Sequence, residues 1–372
     1  MTLIFYLEVI LMNIFTGIFY GKRNKKKFSI IILFFSFIIV YLLMAGYRNT
    51  SGFSKDLLYS EIEFNNINSG VHSNYEVGYI LLIKLGGIFT KDFYTFRAGI
   101  IAIFLLILFW SIIKWSPSPH YVIALFSSYL VILSSEQLRY FLGFVIFEVG
   151  LCILIYSENK RKRLIYSIFL LIASSIHFSF LIYFIFLLNS TSVKSKKEKF
   201  IAILTCMFCV IIFINNNKIP GLSELLEYVN SDKMSIYMSQ STNLGFLYPF
   251  LLHISSLILT FWSLMLSIKL KDNKERSIIK YVYRLDLLAI VFFPLYMLQI
   301  SFYRLARSML MINYNVYSEI IISKEIDIGE RILFVFIVWL SVILWVVIDL
   351  TIKTPAQSLL IPFFEGNVYL NF

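Results

Sequence analysis

FSIIILFFSFIIVYLLMAG, residues 28–46, runs directly into YRNTSGFSKDLLY, residues 47–59, and this junction decides how the chain must be read. Nineteen residues without a charge rise about 28 Å as a helix, close to the roughly 30 Å hydrocarbon thickness of a bilayer. The polar island that follows, Tyr47 to Tyr79, places Arg48, Asp56, Tyr59 and Glu76 at a bilayer surface, with membrane-length apolar runs on both sides. A chain that only needs to remain embedded has little use for such groups there.

Composition agrees with the first run. Of 372 residues 59% are hydrophobic and 15% charged, and the mean hydropathy is +0.79. A soluble domain carries about 25% charged residues. The expected fold is an all-α polytopic membrane protein with about ten transmembrane helices plus re-entrant or short surface helices, one membrane domain over 1–372. Helix is the only economical choice, because lipid offers no partner to an unpaired backbone group and strand alternation is missing from the runs. The net charge of +11 sits in short clusters between apolar runs, the positive-inside pattern, so nucleic acid is not an expected partner. Cys152, Cys206 and Cys209 lie in apolar runs and read as buried thiols. No basic segment precedes the first run, which reads as a retained span and not as a cleaved signal.

The basic clusters give a topology. Lys22 to Lys27, Lys160 to Arg163, Lys194 to Lys199 and Lys269 to Lys280 fall in the cytoplasm. The island and its continuation, 47–97, and the loop 216–244 are then extracytoplasmic. Two runs break the alternation. The run 76–90 is short and holds Lys84, Gly86 and Gly87, so it is expected to be a re-entrant or surface helix. The run 164–188 has basic clusters at both ends, so it is expected to turn back near Ser174-Ser175-Ile176-His177 as a hairpin of two short helices.

The outer face collects Arg48, Asp56, Tyr59 and Glu76 from the island, Glu136, Gln137 and Arg139 from the next turn, and His177 and Ser179 from the hairpin tip. Tyr303, Arg304 and Arg307 come from a late turn, Arg97 from a helix start, and Glu224, Glu227, Asp232, Lys233 and Tyr237 from the loop 216–244. One arginine at a helix end is ordinarily a snorkelling side chain. Several converging on one face suit a phosphate or diphosphate, whose oxygens match the guanidinium fork. Glu148, His253 and Asp286 read as structural hydrogen-bonding groups. His72, His120, His177 and His253 have no metal-ligand spacing, and no Walker or dinucleotide motif is present, so no metal and no cofactor is expected.

In combination these segments resemble the EpsG family, grouped with the Wzy-type polymerases of bacterial O-antigen (the lipopolysaccharide polymer), capsule and exopolysaccharide. The pieces are Tyr47-Arg48 with Gly52, Asp56 and Tyr59, then Glu76-x-Gly78, Gln137-Leu138-Arg139 with Gly143, Ser175-Ile176-His177-Phe178-Ser179, and Tyr303-Arg304. Phe53-Ser54-Lys55 intervene between Gly52 and Asp56, and Tyr140 stands where the family has Gln. The resemblance implies a glycosyltransferase of the bacterial inner membrane. It would join undecaprenyl-pyrophosphate-linked repeat units at the outer face, with a chain-length regulator as a possible partner. It implies Arg48, Arg139 and Arg304 at the diphosphate, and His177 or Asp56 as base or acceptor-orienting group. Glu76 would accept a substrate hydrogen bond, and Tyr59, Gln137 and Arg307 complete the substrate-binding set. Two rivals remain from the residues alone. A flippase for lipid-linked sugars should show repeat symmetry and midplane polar groups. A membrane O-acyltransferase should place its histidine near a cytoplasmic acyl donor.

Overall fold

The computed structural model describes residues 2–20, 27–48, 55–189, 197–217, 245–354 and 356–370. Within these residues every regular element is helical. In chain order they are α1 Thr2–Tyr20, α2 Lys27–Gly46, α3 Lys55–Asn68, α4 Val77–Phe89, α5 Phe93–Trp115, α6 Pro119–Leu125, α7 Val131–Glu136, α8 Leu138–Tyr156 and α9 Lys162–Ile176. A 3-10 arm, Phe178–Leu188, follows α9. Then come α10 Lys197–Ile214, α11 Leu247–Ser267, α12 Asn273–Ala289, α13 Phe293–Leu298, α14 Tyr303–Ser308, α15 Leu310–Ile322, α16 Ile328–Val347 and α17 Leu360–Glu365.

Six of these helical stretches are long and apolar enough to cross a membrane: 2–19, 28–46, 93–115, 138–156, 247–267 and 328–351. The other apolar runs miss that standard for visible reasons. The run 119–136 passes through a π-helical turn at Phe126–Leu130 and carries four serines. The run 282–301 passes through a 3-10 turn at Ile290–Phe292 and breaks at Gln299, whose backbone is extended. The helix α10 opens with Lys197-Glu198-Lys199.

The chain forms two compact units, Met1–Tyr183 with Tyr317–Phe372, and Phe184–Val316. In the first, α8 is the most enclosed candidate span: 83% of its membrane-length stretch is buried, against 28–61% for the others of that unit. Polar staples tie α1, α2 and α6 inside otherwise apolar surfaces. Asn13 donates to Ser36 Oγ at 2.6 Å and contacts His120 Nδ1 at 3.0 Å, while Ser29 Oγ meets His120 Nε2 at 2.6 Å. Such bonds in a bilayer contribute roughly 0.6 kcal/mol each.

The hairpin expected around 174–177 is present. The helix α9 ends at Ile176, and His177 is extended (φ −146°, ψ 110°). The 3-10 arm then runs back along α9, since Tyr166 Oη donates to the Tyr183 carbonyl at 2.9 Å. A continuous helix would hold residues seventeen apart about 25 Å from each other. The short run after Glu76 forms the single helix α4. At thirteen residues α4 is about 20 Å long and cannot cross. Tyr79, Ile83 and Gly87 face inward, whereas Val77, Leu81, Leu85 and Ile88 form an exposed apolar stripe that also carries Lys84. That is the pattern of a helix lying against lipid with a snorkelling lysine. Polar sequence hid one element: Lys55–Asn68 is the helix α3, burying Leu57, Ser60, Phe64 and Ile67 on one face.

In the second unit the two groups read as structural, His253 and Asp286, share one buried network. Asp286 accepts from Thr260 Oγ1 at 2.8 Å and Asn313 Nδ2 at 3.1 Å. Asn313 also donates to Ser256 Oγ at 2.7 Å, and His253 contacts the Asp286 carbonyl and the Tyr296 hydroxyl, each at 3.2 Å. These bonds link α11, α12, α13 and α15, as buried polar groups in a membrane bundle require. Glu148 in the first unit is likewise internal, accepting from Cys152 one turn along α8.

Candidate functional site

The start of α4 meets the hairpin tip, and a glycine makes that possible. A Cβ at Gly78 would overlap the Ser175 side chain and lie 2.7 Å from the Ser175 carbonyl oxygen. No larger residue allows α4 to begin so close to the end of α9. The extended residue just before α4 is Glu76. Its Oε1 accepts the Phe178 N–H at 3.0 Å, and its Oε2 accepts from Arg139 Nη1 at 2.5 Å. One carboxylate therefore clamps the peptide after His177 to the arginine of α8.

Arg139 lies in the first turn of α8, directly after a break at Gln137 (φ −101°, ψ 63°) that separates α7 from α8. Gln137 is buried, and its backbone serves both helices: its N–H donates to Leu133 O, and its carbonyl accepts from Phe141 N–H. The Arg139 guanidinium also stacks over the Tyr75 ring, 4.2 Å from its centre. The ion pair is about a quarter exposed at each partner. Among the described residues, no other Arg139 N–H is taken by a protein acceptor. The arginine is thus held by Glu76 and Tyr75 while most of its five donors remain available to a ligand.

One turn further along the same face of α8, the helix receives the hairpin. A Cβ at Gly143 would lie 2.7 Å from the Phe180 ring and 3.3 Å from the Ala173 carbonyl. His177 sits at the tip, edge-on to Tyr140 (5.5 Å, 88°), with Nδ1 2.8 Å from Ser179 Oγ. Asp56 is half-buried in the first turn of α3, and Tyr59, one turn on, is 55% exposed. Burial pushes the Tyr75 phenol up; Arg139 opposes this, and the nearby carboxylates Glu63, Asp56 and Glu76 add to it. Asp56 therefore belongs to the electrostatic surroundings of the Arg139 cluster.

Arg48 forms a second group at the end of α2. Its Nη1 donates to the Ala45 carbonyl at 2.8 Å, and its guanidinium lies 4.0 Å from the centre of the Tyr94 ring. Tyr94 donates in turn to Glu61 at 3.2 Å. Asp92 caps α5 by accepting from Thr95, and those bonds, with Arg48 nearby, hold its carboxyl below the usual range. Arg97 is fully buried. Its Nη1 donates to the Ala45 and Tyr47 carbonyls, each at 3.1 Å, and its Nη2 to the Ser135 carbonyl at 2.7 Å.

Arg304 and Arg307 lie on the short α14 of the second unit. Arg307 is buried and donates to Tyr303 Oη at 3.1 Å, and Arg304 is half-exposed. The Arg139 and Arg48 groups are both built from first-unit residues. Gly52 and Glu224, Glu227, Asp232, Lys233 and Tyr237 lie outside the described residues. The rings under the arginines, Tyr75 and Tyr94, had no signal in a chain this rich in tyrosine; only the contacts single them out. No three His, Cys, Asp or Glu among the described residues group as a metal site.

Replacing Gly78 by Leu tests the junction. The expected result is overpacking against Ser175, a destabilisation of about 1–3 kcal/mol, and loss of function through the displaced Glu76. Gly99→Leu is the control, because a Cβ there meets nothing within 4 Å. Thermal unfolding in detergent should fall for the first variant and stay near wild type for the second.

An all-helical membrane protein with basic side chains held at one end of a helical hairpin is the class that fold and site define. Residues 31–363 match the model of the EpsG family, nearly the whole chain, and the protein belongs to that family. No curated protein and no solved structure matches the chain.

Proposed function

We propose that the chain is a polysaccharide polymerase that joins undecaprenyl-pyrophosphate-linked oligosaccharide repeat units at the outer face of the bacterial inner membrane. The observation that carries this reading is Arg139, oriented by Glu76 and Tyr75 with guanidinium donors to spare, beside the His177 tip. Membership of the EpsG family supports it.

The orientation has its own support. The helix α2 begins at the Lys22 to Lys27 cluster and ends at Gly46, two residues before Arg48. The helix α8 begins beside Arg139 and ends before Lys160 to Arg163, and α9 begins at Lys162 and ends at Ile176, just before His177. In all three, the functional end is opposite the basic end, which the positive-inside rule places in the cytoplasm.

In the proposed reaction the acceptor sugar hydroxyl attacks the anomeric carbon of the donor glycan. The new glycosidic C–O bond forms as the bond from that carbon to the diphosphate oxygen breaks, and undecaprenyl pyrophosphate departs. Arg139 and Arg48 hold the diphosphate and stabilise the charge it gains. His177 takes the hydroxyl proton, with Asp56 orienting the acceptor. Glu76 acts as a positioning residue, because both its oxygens already hold Arg139 and Phe178. Bringing two lipid-linked substrates to one site supplies a further gain in effective concentration.

Deleting the gene and profiling surface glycan tests the reading. Loss of a polymerase leaves single repeat units attached to the lipid acceptor. Unchanged long-chain polymer, or loss of every lipid-linked unit from the outer face, would contradict it, the latter in favour of a flippase.

A further inference from the structure

The helix end that carries Arg48 and the one that leads to Arg139 are far apart in the chain, yet one buried side chain touches both. We propose that Arg97 is a positioning residue that sets the placement of Arg48 relative to Arg139, and that it does so by bonding the terminal carbonyls of α2 and α7 with two different guanidinium nitrogens. This inference rests on the proposed diphosphate site.

Arg97 Nη1 takes the carbonyls of Ala45 and Tyr47, the last before Arg48. Arg97 Nη2 takes that of Ser135, two residues before the Gln137 break from which α8 and Arg139 follow. Carbonyls at the C-terminal end of a helix lack intrahelical partners and carry partial negative charge. Two such ends meeting one guanidinium engage both of its terminal nitrogens. This accounts for a fully buried arginine that makes no salt bridge among the described residues. Arg48 shares the Ala45 and Tyr47 carbonyls, at 2.8 and 3.3 Å, so both guanidinium groups register on the same turn of backbone.

The α2 end is held from another side as well. Asn367 Nδ2 donates to the Leu43 carbonyl at 2.9 Å, and the Val368 N–H to that of Gly46 at 3.0 Å. That terminal strap ties α2 to the C-terminal segment and, through Thr2 Oγ1 donating to the Leu370 carbonyl at 3.1 Å, to α1. Arg97 adds the link to α7, and a lysine cannot replace it, because a single ammonium offers its donors from one point.

The test is binding of farnesyl pyrophosphate, with farnesol as the control lipid, to the purified full chain in detergent. The variants are Arg97→Gln, Arg97→Lys and Arg139→Ala, each used as the monodisperse fraction. A residue that only stabilises the fold lowers the yield or melting temperature and leaves the affinity of the folded fraction unchanged. A positioning residue changes that affinity. The expected result is about tenfold weaker binding for Arg97→Gln, with Arg97→Lys between it and wild type and farnesol binding unaltered, as for a network residue worth about 1.4 kcal/mol. If Arg97→Gln gives no monodisperse protein, Arg97→Lys decides by the same criterion. Wild-type affinity in both Arg97 variants alongside weakened binding in Arg139→Ala would overturn the inference and leave the diphosphate reading standing. Wild-type affinity in Arg139→Ala would overturn that reading and this inference with it.

Discussion

Arg139→Ala is expected to abolish long-chain polymer while the protein still inserts and folds. The two halves of this statement have separate causes. The Arg139–Glu76 pair is about a quarter exposed at each partner, and an ion pair that still reaches solvent contributes on the order of 1 kcal/mol to stability. Its loss leaves Glu76 able to keep the Phe178 N–H, so the hairpin tip stays attached to α4. Catalysis has no such reserve. Removing one preoriented donor from a developing negative charge typically lowers turnover on the order of 10²–10³-fold. Arg139→Lys preserves the charge, loses the fork, and should fall between. Glycan ladders on gels, scored against membrane content of the variant, read the effect. A wild-type ladder from Arg139→Ala would remove the diphosphate assignment.

His177→Gln should produce the other large loss, of roughly 10²–10⁴-fold, the usual contribution of a positioned proton acceptor. His177 Nδ1 lies 2.8 Å from Ser179 Oγ and accepts the Ser179 N–H at 3.4 Å, and the ring stands edge-on to Tyr140, so its plane is fixed. Glutamine matches the side chain in polarity and approximate length but cannot take up the proton. Ser179→Ala removes only the orienting bond and is expected to cost less. Activity per folded molecule, measured on purified variants, separates the outcomes. Full activity in His177→Gln would reduce the residue to packing between α8 and the 3-10 arm.

Arg139 and His177 both stand out in the amino-acid sequence alone, and the reason is physical. An ionisable side chain within or at the head of an apolar run is costly enough to announce itself. The break at His177 was legible because basic clusters flank both ends of 164–188. The short α4 was legible from Lys84, Gly86 and Gly87. What stayed hidden depended on contacts between distant segments. Glu76 was visible as a carboxylate on the island, but its clamp between Arg139 and Phe178 needs α4, α8 and α9 together. Arg97 looked like one more arginine at a helix head. Only the positions of Ala45, Tyr47 and Ser135 show that it joins two helix ends. The helix α3 was masked by its asparagines and acids, although Leu57, Phe64 and Ile67 already stood at helical spacing. Of the three arginines expected to form the clamp, Arg48 and Arg139 lie in the first unit and Arg304 in the second.

The number of crossings shows the same limit. About ten were expected from apolar run lengths, and six helices among the described residues meet the length and apolarity of a span. The difference lies in segments such as 119–134 and 282–301, where a π turn, a 3-10 turn and the extended Gln299 interrupt a run that composition reads as continuous. Breaks of this kind are tolerated within a membrane only where neighbouring protein satisfies the freed backbone groups. They therefore depend on tertiary packing and leave little trace in local sequence.

The most direct test of the central claim is reconstitution. The purified full chain, in vesicles containing synthetic undecaprenyl-pyrophosphate-linked repeat units, should convert them into a ladder of longer glycans and release undecaprenyl pyrophosphate, and Arg139→Ala should do neither. Movement of intact lipid-linked units across the vesicle membrane without chain growth would contradict the account.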